Sequence, residues 1–169
     1  YAVWGDATTY PHYHAGWAMA GNTPFRYFKQ SEHRGGQTDA LVVHWPNGIK
    51  AKGEIRNQYH HIADIAPTIL EAAKIDFPES YHGIKQQPFD GKSMMYTFNN
   101  PKAPNVKERQ YYEMFGNRAI WVDGWKAVTL HGKRMPWVVG SVTPFEDDVW
   151  ELYNVAEDFS ESTDLAAKY

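Results

Sequence analysis

The sequence predicts an α/β fold that runs through a connecting stretch into a small antiparallel subdomain, and three stretches carry that expectation. Ala40-Leu-Val-Val-His-Trp45 is a short apolar, β-branched run. Ile62 to Ala73 repeats apolar residues at spacings of three and four. Arg109 to Leu130 holds strand-like runs parted by Gly116 and by Asp123-Gly124.

Taken in order, residues 1–21 alternate aromatics with Gly, Pro and His in neither helical nor strand period, so they read as an irregular surface segment. His12 and His14 stand at metal-like spacing, but two ligands without a third read as solvated loop histidines. The stretch Asn22 to Gly36 gathers Lys29, His33, Arg26 and Arg34 between a proline turn and Gly35-Gly36. Glycine pairs reach backbone conformations closed to other residues, so this loop is expected to fold tightly and aim Lys29, His33 and Arg34 at one anion.

The run 40–45 reads as a buried strand closed by a turn at Pro46-Asn-Gly48, with His44 a hydrogen-bonded core histidine rather than a ligand. Ile62, Ile65, Ala66, Ile69, Leu70 and Ala73 build one apolar face of a helix over about 64–74. Asp64 is its expected N-cap and Pro67 falls in the first turn, where a missing N–H costs little. His60 and His61, just before it, read as capping or loop-packing groups. Residues 76–105, with four prolines, read as a linker or surface connection in which only Ser93 to Phe98 is ordered.

Beyond it, Asp123-Gly124 between alternating apolar residues is a hairpin signal, and Trp150-Glu-Leu-Tyr153 reads as a fourth strand. Asp147-Asp148 reads as a solvated acidic turn. The expected division is therefore an α/β piece over 1–75, a connection over 76–105 and an antiparallel subdomain over 106–169.

Composition excludes several classes. A chain of 169 residues, 43% hydrophobic, can bury the core of about one domain, and no apolar run approaches the roughly 18 residues of a membrane helix. A net charge of −3 gives no general attraction for nucleic acid. Cysteine is absent, which removes disulfides, thiolate metal sites and a cysteine nucleophile from these residues. No Gly-x-Ser-x-Gly elbow, His-Glu-x-x-His helix, P-loop or Gly-x-Gly-x-x-Gly fingerprint occurs. What remains is a cationic loop suited to a tetrahedral oxyanion, sulfate or phosphate.

The ordered string Gly16-Trp-Ala18, Asn22-Thr-Pro-Phe25, Lys29-Gln30, His33-Arg-Gly-Gly36, His44-Trp-Pro46 and Asp64-Ile-Ala-Pro-Thr-Ile-Leu70, continued by Gly116-Asn-Arg-Ala-Ile120, Asp123-Gly-Trp-Lys126 and Trp150-Glu-Leu-Tyr-Asn154, resembles the later part of bacterial arylsulfatases. The resemblance covers nearly the whole chain. It implies type I sulfatase chemistry in the alkaline-phosphatase-like α/β fold, with a formylglycine nucleophile and a divalent cation, usually calcium. Lys29 matches the family's late sulfate-contacting lysine. His33 is a weaker candidate for the same site, and Asp64 takes a structural place. The formylglycine motif and the family's Asp and Asn metal ligands have no match here, so the resemblance implies the C-terminal portion of a longer sulfatase, with nucleophile and metal held elsewhere and no metal ligand in this chain. It further implies a sulfate-ester small molecule or sulfated glycan as partner, and a periplasmic or secreted location. Two other readings remain at this point: a phosphoesterase or phosphonate hydrolase of the same superfamily, and a noncatalytic module whose many Trp and Tyr bind glycan.

Overall fold

The computed structural model describes residues 3–10, 12–133 and 143–169. The chain divides into two compact units, Tyr1–Asp39 with Tyr111–Tyr169, and Ala40–Gln110. The expected boundaries at 75 and 106 both fall inside the second unit.

In the first unit, helix α1 (Ala15–Gly21) stands where the sequence suggested irregular chain. Three alanines and a methionine favour helix, and the His14 ring caps it by accepting the Gly16 N–H at 3.1 Å. None of its residues is buried. A short helix α2 (Arg34–Gln37) closes the cationic loop.

The four expected strands are present as β3 (Arg109–Met114), β4 (Asn117–Val122), β5 (Trp125–Thr129) and β6 (Trp150–Asn154), paired in the order β3-β4-β5-β6. The β4–β5 connection at Asp123-Gly124 places both residues at positive φ, 42° and 85°, the two-residue turn whose twist matches antiparallel strands. Phe115 and Gly116 repeat this at 53° and 85°. Register sets Ala119 opposite Val128 and Val128 opposite Glu151, and it likewise sets Trp121 opposite Lys126 and Lys126 opposite Tyr153. Because side chains alternate along a strand, these two rows share one face. Ala119, Val128 and Tyr153 are its fully buried centre, with Tyr112 and Val155 packed against them.

Asp148 is a correction to the solvated-turn reading. Its side chain is fully buried, paired with Arg118 at 2.7 Å and His131 at 3.0 Å, and it accepts the Gly132 N–H at 3.0 Å. Burial pushes its pKa up, but these hydrogen bonds and the neighbouring charge outweigh that and hold it below the ordinary value.

In the second unit, residues 40–45 form no strand, and Leu41, Val42, Val43 and His44 are exposed. An apolar run becomes a strand only when a neighbouring strand takes its backbone N–H and C=O groups, and among the described residues no strand pairs with this run. The turn at 46–48 forms as expected. The amphipathic stretch gives a 3-10 turn over Ile62–Asp64 and helix α3 (Ile65–Ala73). Asp64 caps backwards rather than forwards: its carboxylate accepts the His61 N–H at 2.8 Å while the His61 ring accepts the Ala63 N–H at 3.2 Å.

Asp64 also accepts from the Lys92 N–H at 2.8 Å and from the buried Lys107 ammonium at 2.9 Å. It therefore anchors the stretch 92–107 to α3, in keeping with a structural place. Residues 76–105 are a packed surface connection rather than a free linker. They hold a two-residue hairpin, β1 (Ser80–Tyr81) with β2 (Ile84–Lys85), and helix α4 (Met95–Phe98), inside the one piece expected to be ordered. Arg56 donates to the Thr97 and Phe98 carbonyls, and Asn99 bridges Gly48 and Lys50.

Candidate functional site

The cationic loop is held from inside, chiefly by side-chain amides and carboxylates. Asn22, the C-cap of α1, donates its amide Nδ2 to the Tyr27 carbonyl at 2.9 Å and to the Gly35 carbonyl, tying the two ends of the loop together. Tyr27 and Gln30 sit at positive φ, 61° and 82°, so the chain reverses twice around Phe28 and Lys29. Phe28 is buried and Lys29 is exposed. The Gln30 carbonyl accepts at 2.6 Å from the Nδ2 of Asn117 on β4, whose Oδ1 in turn accepts the His131 N–H at 2.8 Å.

Gly35 and Gly36 matter for a reason other than the expected one. Neither takes a positive φ. A Cβ on Gly35 would stand 2.1 Å from the Arg26 carbonyl oxygen, and one on Gly36 would stand 1.9 Å from that of Ser31. The pair lets two backbone segments touch.

Lys29, Asn22, Tyr13, Gly35, Gly36 and Asp39 line an open cleft of about 420 Å³. His33 stands apart from that lining. It is fully buried, its Nε2 donating to the Glu151 carboxylate at 3.1 Å and its Nδ1 lying 2.9 Å from the Ser31 hydroxyl. Arg26 reaches the same carboxylate at 3.3 Å and the Tyr153 hydroxyl at 2.7 Å, and Tyr153 also donates to Glu151. Burial pushes the Glu151 pKa up, but hydrogen bonds from His33 and Tyr153, and the charges of His33 and Arg26, bring it down to about 2.

Arg34 lies over the Phe159 ring at 4.3 Å and donates to the Phe159 carbonyl at 2.9 Å. Its backbone N–H donates at 2.9 Å to Glu161, whose carboxylate also takes the buried Lys126 ammonium at 2.6 Å. The structure thus turns His33 and Arg26 toward β6, Arg34 toward the segment that follows β6, and Lys29 toward the cleft.

Among the described residues no group of three or more His, Cys, Asp or Glu side chains converges as a metal site. No described helix is long and apolar enough to cross a membrane. Sequence reading missed Asn22, Asn117 and Glu151. Asn22 follows an alanine-rich stretch and is legible as a helix end, whereas Asn117 and Glu151 act across 87 and 118 residues and leave no local signal.

Residues 26–168 match the family model described as N-sulphoglucosamine sulphohydrolase, C-terminal. The chain belongs to this sulfatase family. It is 30% identical over 169 residues to an uncharacterized sulfatase of Schizosaccharomyces pombe, covering 96% of this chain and 27% of that protein. A sulfatase of Formosa agariphila is 27% identical over 159 residues, covering 87% and 26%. This sulfatase segment therefore spans about a quarter of the length of these relatives, one fungal and one bacterial.

Among solved structures, a protein described as a 6S-sulfatase of glycosaminoglycan metabolism in Bacteroides thetaiotaomicron superposes with a TM-score of 0.58 at 18% identity, over 85% of this chain and 28% of that one. Another, solved in complex with its substrate D-glucosamine-2-N,6-O-disulfate, gives 0.51 at 18% identity, over 76% and 24%. The fold is the C-terminal part of the alkaline-phosphatase-like sulfatase fold, and the four-stranded antiparallel sheet lies within the residues that the family model matches.

Proposed function

We propose that the longer protein to which this chain belongs hydrolyses sulfate esters, on an aryl alcohol or a carbohydrate, and that Lys29 contacts the sulfate. The observation that carries this reading is the place of Lys29 in the loop: it is exposed and lines the cleft beside Asn22, Gly35 and Gly36, while Arg26 reaches Tyr153 and Arg34 reaches Phe159. An ammonium there neutralises charge on the sulfate oxygens and stabilises the charge that grows as the sulfur–oxygen bond breaks. Fixed donors matter most where charge develops. The nucleophile, a formylglycine hydrate, and a divalent cation such as calcium would come from residues outside this chain, the cation supplying Lewis-acid polarisation when bound. His33 takes part through the loop it braces.

Full-length protein carrying Lys29→Ala, assayed on 4-nitrophenyl sulfate and on 6-O-sulfated glucosamine, is expected to lose about 10²- to 10³-fold in kcat/KM, the usual effect of removing one charge-stabilising donor. Unchanged turnover removes Lys29 from the reaction. Faster turnover of the matching phosphate ester by the parent protein overturns the sulfatase reading in favour of phosphoesterase chemistry.

A further inference from the structure

We infer that two carboxamides, Asn22 and Asn117, are positioning residues that set the reach of Lys29; the inference rests on the sulfate-contacting reading of that lysine. Lysine carries its charge at the end of a flexible stem, so its effect on a reacting group depends on how firmly its backbone is placed. Lys29 is placed from both sides. On its N-terminal side the two-pronged Asn22 amide fixes the Tyr27 carbonyl, and through Gly35 holds the far end of the loop against it. On its C-terminal side Asn117 captures the carbonyl of Gln30, the very next residue.

The chemistry of the two side chains is specific to this task. Each amide nitrogen faces carbonyl oxygens, which a carboxylate of the same shape would repel. The Asn117 oxygen is committed as well, to the His131 N–H at 2.8 Å, so its nitrogen is oriented toward Gln30 rather than free to exchange ends. Asn117 is nearly buried at the start of β4, which makes the sheet the reference frame for the lysine. Gln30 at a φ of 82° is a conformation that a non-glycine residue keeps only when its neighbours hold it, and the Asn117 bond is placed to do so.

The test is a pair of double-mutant cycles in the full-length protein: Asn22→Asp and Asn117→Asp, each alone and each combined with Lys29→Ala, with steady-state kinetics on 4-nitrophenyl sulfate and thermal unfolding of every variant. Each aspartate is expected to lower kcat by about 10- to 100-fold with KM changed less than threefold, the scale of a misplacement near 1 Å. In the Lys29→Ala background the same substitutions should cost less than threefold more, because there is no ammonium left to misplace. Equal losses in both backgrounds would make the carboxamides general supports of the fold and overturn the inference. So would wild-type kcat, or failure of both single variants to fold. If one of them fails to fold, the cycle at the other decides. Lys29→Ala without effect would instead reject the reading on which the inference rests, a result separate from either cycle.

Discussion

Glu151 on β6 and Glu32 in the cationic loop are two carboxylates whose surroundings drive their pKa values in opposite directions. Glu151 is held at about 2 because, against the upward push of burial, His33, Tyr153 and Arg26 all favour its charged form. Glu32 is pushed up to about 7, mainly by burial and further by Glu113, with Lys126 opposing. The signs follow by linkage. Glu151 contributes stability that is present above about 4.5 and is lost as pH falls toward 2. Glu32 keeps a proton in the folded chain that the unfolded chain releases, so stability declines as pH rises from about 4.5 through 7. Thermal unfolding followed from pH 4.5 to 8 should show that decline, roughly 1–3 kcal/mol, and Glu32→Gln should flatten it. An unaltered slope in Glu32→Gln would assign the decline to other groups.

At the scale of elements, what was legible in the sequence was whatever a few neighbouring residues decide. Asp123-Gly124 specified its hairpin, because positive φ at both positions is a local property. The helix after Asp64 and the ordered piece at 95–98 were legible for the same reason. Residues 40–45 were not, since β-branched composition states a preference while a strand needs a partner. The glycine pair was half legible. Its closeness was expected, but the contact it permits, with the Arg26 and Ser31 carbonyls, depends on a chain reversal that composition does not encode. Gly35→Ala should therefore destabilise the fold by about 1–3 kcal/mol or more, since its new methyl meets rigid backbone, and differential scanning calorimetry checks this. A melting temperature within 1 °C of the parent, on the scale where about 1 kcal/mol shifts it by several degrees, would show that the loop relaxes freely.

For the whole molecule, the family and the antiparallel sheet were readable from ordered motifs, while the assembly of the site was not. Lys29 and the glycines are marked locally. The groups that brace them, Asn117, Glu151, Tyr153 and Glu161, come from the far end of the chain. Glu161 is the clearest case, joining Lys126 on β5 to the Arg34 amide at the start of α2. Glu161→Gln leaves a buried ammonium without its counter-charge and should cost about 3–5 kcal/mol. Hydrogen exchange should then show lost protection over residues 31–37 together with β5. Protection kept over 31–37 would show that the loop stands without this pair.

The distance along the chain between these partners also has a consequence in time. Arg26 and Glu151 are 125 residues apart, and Asn117 and Glu161 stand 87 and 127 residues from the loop residues they hold. At ordinary rates of translation, the loop leaves the ribosome roughly 6–25 s before the carboxylate that will hold it. For that interval its cations face solvent without their permanent partners. The site matures only when the last strand is made, so a chain stalled late in synthesis would carry Lys29 but not the frame that aims it.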